Sequence, residues 1–342
     1  MSAAAPPPAP QTSHSVDALR IEGLSFKRGD KTPLRGISLT LKRGEALALL
    51  GPRGAGKTLL AQLICGLLPP SSGEISIHGF SLQQQGRAAR ASLGYVPATL
   101  SFYPELTVQE NLEFFGHLYL LKPEAMAQRL QTVLKLTGLL GRQEVQAQNL
   151  SLTLQRHLNL GVAIMHQPHL LLLDEPTLGM DGTGKRHLLD TLKSLRAQGT
   201  ALLLLSAVPD EVREVADTIA LIDRGSLLAQ GFYHELLASL GDSARLSLTL
   251  EGRKDAVLET LERWRGLEGV TGVTLTEGTS PPHVEVLAPK PERLLGLLLD
   301  VARIKNVSVL SFQVHKPGLE ALFLQLTGHP LTELASAPAE QV

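Results

Sequence analysis

The segment Gly51-Pro52-Arg53-Gly54-Ala55-Gly56-Lys57-Thr58 constrains the fold more than any other part of the chain. It matches GxxxxGK[ST] and stands in the right setting. Before it, Glu45–Leu50 is a short apolar run that reads as a buried strand. After it, Thr58–Leu67 has helical spacing and is closed by Pro69 and Pro70. The glycines let the backbone curl so that N–H groups face an anion, and the helix beginning near Lys57 adds its positive dipole end. The pattern predicts that the loop cradles the phosphates of a nucleoside triphosphate, ATP. Lys57 then reaches the terminal phosphates and Thr58 holds Mg²⁺.

A second pattern supports the first. Leu170-Leu171-Leu172-Leu173 places Asp174 and Glu175 at the carboxyl end of a buried strand, where open α/β sheets bind their ligands. Asp174 is expected to contact Mg²⁺ through water, and Glu175 to orient or deprotonate the attacking water.

Strands alternate with helical patterns as far as about residue 240, which implies a mostly parallel sheet covered on both faces. Residues from about 98 to 165 read as a helical subdomain. From 241 to 330 the order is β-α-β-β-α-β: Arg245–Glu251, Lys254–Arg265, Val270–Thr276, Val284–Leu287, Pro291–Ala302 and Val307–Val314, with a last helix over Leu319–Thr327. That order resembles a ferredoxin-like α+β unit. The expected organisation is a tail over 1–16, a nucleotide-binding domain over 17–240, an accessory domain over 241–330 and a tail over 331–342. The Ala- and Pro-rich start lacks the positive flank and apolar centre of a signal peptide. No stretch of about 18 apolar residues free of charge is present, so no spanning helix is expected. The net charge of −1 gives no global basic field, and nucleic acid is set aside as a partner. Cys65 is the only cysteine, which excludes an internal disulfide and reads as a core residue.

Taken together the motifs resemble the ATP-binding cassette (ABC) family from about Leu19 to Gly231. The resemblance rests on Gly51–Thr58, Leu93-Gly94-Tyr95-Val96-Pro97, Leu106-Thr107-Val108-Gln109-Glu110-Asn111-Leu112, Leu173–Thr177, Gly179-Met180-Asp181, Asp217 and Ile222-Asp223-Arg224-Gly225. It implies a cassette that dimerises head to tail around ATP and drives a separate membrane permease. The second cassette is the same chain or a different one. The Tyr103-Pro104-Glu105-Leu106-Thr107 segment and the appended C-terminal domain are similar to cassettes of bacterial multi-subunit exporters, including the gliding-motility type. The implied location is cytoplasmic, peripheral on the inner face of the cell membrane.

Four positions depart from the family pattern. Ala98 stands where the family carries Gln, and Ala207 where it carries a His four residues before an acid equivalent to Glu211. The signature reads Leu150-Ser151-Leu152-Thr153-Leu154 instead of Leu-Ser-Gly-Gly-Gln. Ser151 remains able to donate, while Leu152 and Thr153 put side chains into the gap. Arg28 replaces the aromatic that stacks on adenine, and a guanidinium also stacks on a base. His157, His166, His169 and His187 are out of register with the missing His and read as ordinary surface or helix residues. These changes predict binding with slow hydrolysis. Two functions follow: the ATPase subunit of a transporter, or a hydrolysis-deficient structural or regulatory subunit. A cassette working on translation or DNA repair fits less well, because no paired cassette, coiled coil or basic region is visible.

Overall fold

Glycine and short apolar runs set the element boundaries in a chain whose computed structural model describes residues 16–238, 240, 244–276, 281–288, 291–315 and 318–331. The stretches 1–15 and 332–342, read above as tails, lie outside these residues. Leu331, placed in the second tail, is buried. The chain divides into two units, 1–228 and 229–342.

The first unit opens with β1 (Leu19–Arg28) and β2 (Lys31–Leu41), an antiparallel hairpin turned by Gly29 and Asp30. Next come β3 (Ala46–Leu50), α1 (Lys57–Ile64), β4 (Ser72–Ile77), β5 (Phe80–Ser81), α2 (Gly86–Ala91) and β6 (Leu93–Val96). The helical stretch follows as α3 (Val108–Leu118), α4 (Pro123–Leu136) and α5 (Leu152–Ile164). Thr107 starts α3 with a reciprocal capping box: its hydroxyl accepts from the Glu110 N–H, and the Glu110 carboxylate accepts from the Thr107 N–H. The remaining elements are β7 (Leu170–Asp174), α6 (Gly182–Ala197), β8 (Ala201–Ser206), α7 (Pro209–Val215), β9 (Thr218–Asp223) and β10 (Ser226–Phe232).

These strands form two sheets. One is antiparallel, in the order β2-β1-β4-β5. The other has the order β10-β9-β3-β8-β7-β6, with β9, β3, β8, β7 and β6 parallel. Every residue of β3, β7 and β8 is buried, which explains their unbroken apolar runs. Leu60, Leu63 and Ile64 of α1 share one core with Ile21 and Leu39 of the antiparallel sheet and Leu47 and Leu49 of the parallel one. The helix after the phosphate loop is therefore held between two sheets. Among the described residues no helix is long and apolar enough to cross a membrane.

The second unit contains α8 (Tyr233–Ala238), β11 (Ala244–Glu251), α9 (Lys254–Arg265), β12 (Gly272–Thr276), β13 (His283–Ala288), α10 (Pro291–Ile304), β14 (Ser308–His315) and α11 (Leu319–Thr327). Its strands pair antiparallel in the order β12-β13-β11-β14. Leu246, Leu248 and Leu250 alternate into a core with Trp264, whose indole N–H donates to the Leu298 carbonyl at 3.1 Å. The turn between β12 and β13 includes Gly278, which lies outside the described residues.

Candidate nucleotide site

The parallel strands end together, and the loops that leave them build the site. Gly51 leaves β3 with its N–H on the Ser206 carbonyl of β8, at 3.3 Å. A Cβ there would stand 2.3 Å from the Ile222 carbonyl oxygen of β9, so only glycine lets the loop start at this point. Gly225 closes the loop from the other side: its N–H donates to the Ala55 carbonyl at 3.0 Å, and its own carbonyl accepts from Arg35 at 2.9 Å. Gly56, at φ 104, leads into α1, and Lys57 is the helix's first residue. Arg53, Gly54 and Thr58 are exposed on the loop, while Pro52 and Ala55 are buried beneath it.

Lys57 is 6% exposed. Its ammonium donates to the Gly51 carbonyl at 2.6 Å and the Pro52 carbonyl at 3.1 Å, and lies 3.5 Å from Glu175 Oε1. Burial lowers its pKa, against the pull of Glu175 and Asp174. Glu175 follows β7 at φ 46, a left-handed conformation that a side chain rarely adopts. Its N–H donates to the Leu205 carbonyl at 2.9 Å. Burial raises its pKa, opposed by Lys57 and by the Ala207 N–H. Asp174 is 1% exposed, and neither carboxylate oxygen has a partner in full hydrogen-bond geometry. Burial raises its pKa too, and the Thr58 hydroxyl and Lys57 act against that rise. A buried carboxylate beside an exposed hydroxyl is an oxygen donor set of the kind hard cations take.

The structure thus brings Lys57, Thr58, Asp174 and Glu175 together, as their motifs imply. Among the described residues no hydrogen bond or ion pair links Arg28 or Ser151 to the phosphate loop. Arg28 ends β1 at the hairpin turn, exposed, and β2 beyond that turn packs Leu34 against Gly56. Ser151 caps α5, accepting from the Leu154 N–H at 3.4 Å.

At the altered positions the main chain carries the contacts. The Ala98 carbonyl accepts from Arg156, a buried guanidinium of α5 that also reaches the Leu178 carbonyl at 3.2 Å. Asn159, 1% exposed, holds the Pro97 and Thr99 carbonyls and the Ser101 N–H. Sequence reading missed Arg156 and Asn159, because polar residues inside a helix announce no partner.

The out-of-register histidines lie away from the phosphate loop. His157 is a buried helix residue, His166 and His169 are half-buried, and His187 is exposed on α6. His157 is 4% exposed, with Nε2 3.2 Å from the Gly184 carbonyl and its ring against His187. His166 stacks on Tyr119, and His169 stacks on His78. Burial depresses His157 and His166 to about 4. Cys65 is buried, as expected, with its thiol pushed up to about 12.

Residues 34–178, which hold the phosphate loop and the Asp174–Glu175 pair, match the family model described as ABC transporter. Over 315 residues the chain is 36% identical to the linearmycin resistance ATP-binding protein LnrL of Bacillus subtilis, covering 92% of this chain and all of that protein. It belongs to the ABC transporter ATP-binding proteins. It is also 32% identical to Nod factor export ATP-binding protein I of Ralstonia nicotianae, over 96% of this chain and 98% of that one. The daunorubicin resistance ATP-binding protein DrrA3 of Streptomyces coeruleorubidus is 30% identical over 91% and 96%. A solved structure titled as the ATP binding subunit of an ABC transporter superposes with TM-score 0.61 at 27% identity, covering 65% of this chain and 93% of that one. The chain is therefore the ATP-binding subunit of an ABC transporter and an ATPase by family, with relatives in drug resistance and Nod factor export.

Proposed function

We propose that this cassette binds ATP with Mg²⁺ through Gly51–Thr58 and Asp174, uses Glu175 to turn ATP over slowly, and so drives a separate permease in export. One observation carries this reading: Asp174, buried and with no partner in full hydrogen-bond geometry, lies beside Thr58 of a phosphate loop whose lysine is already paired with Glu175. Thr58 and Asp174 would hold the ion, which supplies positive charge to the β- and γ-phosphates. Lys57 exchanges its loop carbonyls for phosphate oxygens. Glu175, hydrogen-bonded through the Ala207 N–H and close to Lys57, orients or deprotonates water.

Ala98 and Ala207 support slow turnover, because neither side chain can hold water or a γ-phosphate oxygen. Loss of a positioned proton-handling group costs on the order of 10² to 10⁴ in rate. The names of the exporter relatives support export. The permease, the second cassette arranged head to tail around ATP and a place on the inner face of the cell membrane follow from the family. The boundary near 240, the helical subdomain and a ferredoxin-like accessory domain belong to the same reading. Support for the last is the order β-α-β-β-α-β with β12-β13-β11-β14 all antiparallel. The same two alanines favour the second reading, a nucleotide-held subunit without turnover.

The test is steady-state ATPase activity with Mg²⁺ beside Lys57→Ala and Glu175→Gln controls, together with copurification of a membrane protein. Turnover that both controls abolish supports the motor. Binding without turnover moves the chain to the second reading.

A further inference from the structure

The altered signature is not a bare loss of glycine. Leu152 and Thr153 have found glycines on the opposite side. A Cβ on Gly179 would lie 2.8 Å from Leu152 Cδ2, and a Cβ on Gly184 would lie only 2.0 Å from Thr153 Cγ2. Gly184 is the third residue of α6, a helical position at which glycine is disfavoured relative to alanine. The Thr153 methyl group occupies the space that an alanine would need.

The polar half of Thr153 is equally committed. Its hydroxyl donates to Asp181 Oδ2 at 2.7 Å and accepts from the Asp181 N–H at 3.4 Å. Asp181 Oδ1 meanwhile caps α6 by accepting from the Gly184 N–H at 2.8 Å. His157, one turn further along α5, reaches the Gly184 carbonyl, and Arg156 reaches the Leu178 carbonyl. The segment 178–184 is thus tied to α5 at four points, and it is the segment that leaves Glu175: the Leu178 N–H donates to the Glu175 carbonyl at 3.2 Å.

We propose that Thr153 is a positioning residue, clamping Asp181 and the loop after Glu175 to the start of α5 within the same chain. The clamp uses the two side chains that replace glycine and the two glycines that receive them. Within the chain, Thr153 acts through Asp181 on the backbone that follows Glu175. The kinetic part rests on the reading of Glu175 as the group that handles water, whereas the clamp does not.

The experiment compares Thr153→Val, which keeps the methyl and removes the hydroxyl, with Thr153→Ser, which keeps the hydroxyl. Amide exchange over Leu178–Gly184 is read in the full chain and should quicken on the order of tenfold in Thr153→Val and stay near wild type in Thr153→Ser. The ATPase kcat should fall severalfold in Thr153→Val with KM for ATP unchanged, and recover in Thr153→Ser. A second arm reads thermal midpoints. Gly184→Ala should lower the midpoint beside Thr153 and leave it unchanged or raised in a Thr153→Gly background. Exchange equal in Thr153→Val and wild type, or a Gly184→Ala effect of the same sign in both backgrounds, overturns the clamp. Fast exchange with an unchanged kcat overturns the positioning role. If Glu175→Gln keeps full turnover, the reading of Glu175 has failed, and the exchange and midpoint arms still decide the clamp.

Discussion

Lys57 Nζ lies 3.5 Å from Glu175 Oε1, so the cation proposed for phosphate is paired with the carboxylate proposed for water. The pair orders both side chains before nucleotide arrives. Burial raises the pKa of Glu175 above its ordinary 4.5, with Lys57 restraining the rise. The ionised form is the one that accepts a proton from water. The rate should therefore fall, as pH drops, through a limb lying above 4.5, and Glu175→Gln should lack that limb. Measuring kcat/KM against pH for both proteins checks this, because that ratio reports the nucleotide-free enzyme; a limb at or below 4.5 in the parent would contradict it.

Asp174 pits stability against function. Its two oxygens are buried without a partner in full hydrogen-bond geometry, and burial disfavours the charged form against the pull of Thr58 and Lys57. Asp174→Asn removes the charge while keeping the shape. The nucleotide-free protein should become more stable, because a charge no longer has to be buried. The added stabilisation that Mg²⁺ gives to the ATP-bound parent should disappear. Denaturation curves with ATP, with and without Mg²⁺, read both effects. A less stable nucleotide-free variant would show that the attraction of Thr58 and Lys57 outweighs the cost of burial.

Gly225 makes no contact with phosphate in any reading, yet it should govern affinity. Its φ is +78, and a Cβ there would stand 1.8 Å from the Pro33 carbonyl oxygen. Backbone would have to move, and the residue's two hydrogen bonds run to Ala55 in the phosphate loop and Arg35 in β2. Gly225→Ala should weaken ATP binding by on the order of tenfold or more, a cost of about 1–3 kcal/mol in strain. Titration with ATP measures it, and affinity within twofold of the parent would mean the loop is set without this joint.

Much of this site was legible because phosphate binding asks for backbone shape, and backbone shape is written in glycine. Gly51–Thr58, and Asp174 after four leucines, needed no tertiary information. Strand existence was equally readable for β3, β7 and β8, where both faces are covered. Other features depended on distant partners. The division of the strands into an antiparallel and a parallel sheet was not visible, since β1 and β4 pair across more than forty residues of sequence. Nothing in Thr153 or Gly184 alone announces their fit, because each is explained only by the other. Whether His157 is a surface or a buried helix residue was not legible, because helix α5 is buried throughout after Gln155, which local periodicity does not report.

Removal from water gives His157, in α5, and His166, beyond its end, a measurable role in stability. Both are depressed from an ordinary 6.5 to about 4 in the folded chain. Between those values the unfolded chain binds the proton and the folded chain does not. Stability contributed by each neutral ring is therefore full above about 6.5 and is lost as pH falls towards 4. A shift of this size corresponds to at most about 3 kcal/mol for each ring. His157→Gln keeps a polar group in reach of the Gly184 carbonyl but cannot titrate. The variant should lose part of the fall in unfolding free energy between pH 6.5 and 4, while differing little in slope above that window. Urea denaturation across this range measures the slope. Equal slopes in parent and variant would mean that His157 takes its proton without unfolding, through an opening of α5 at the point where it meets Gly184.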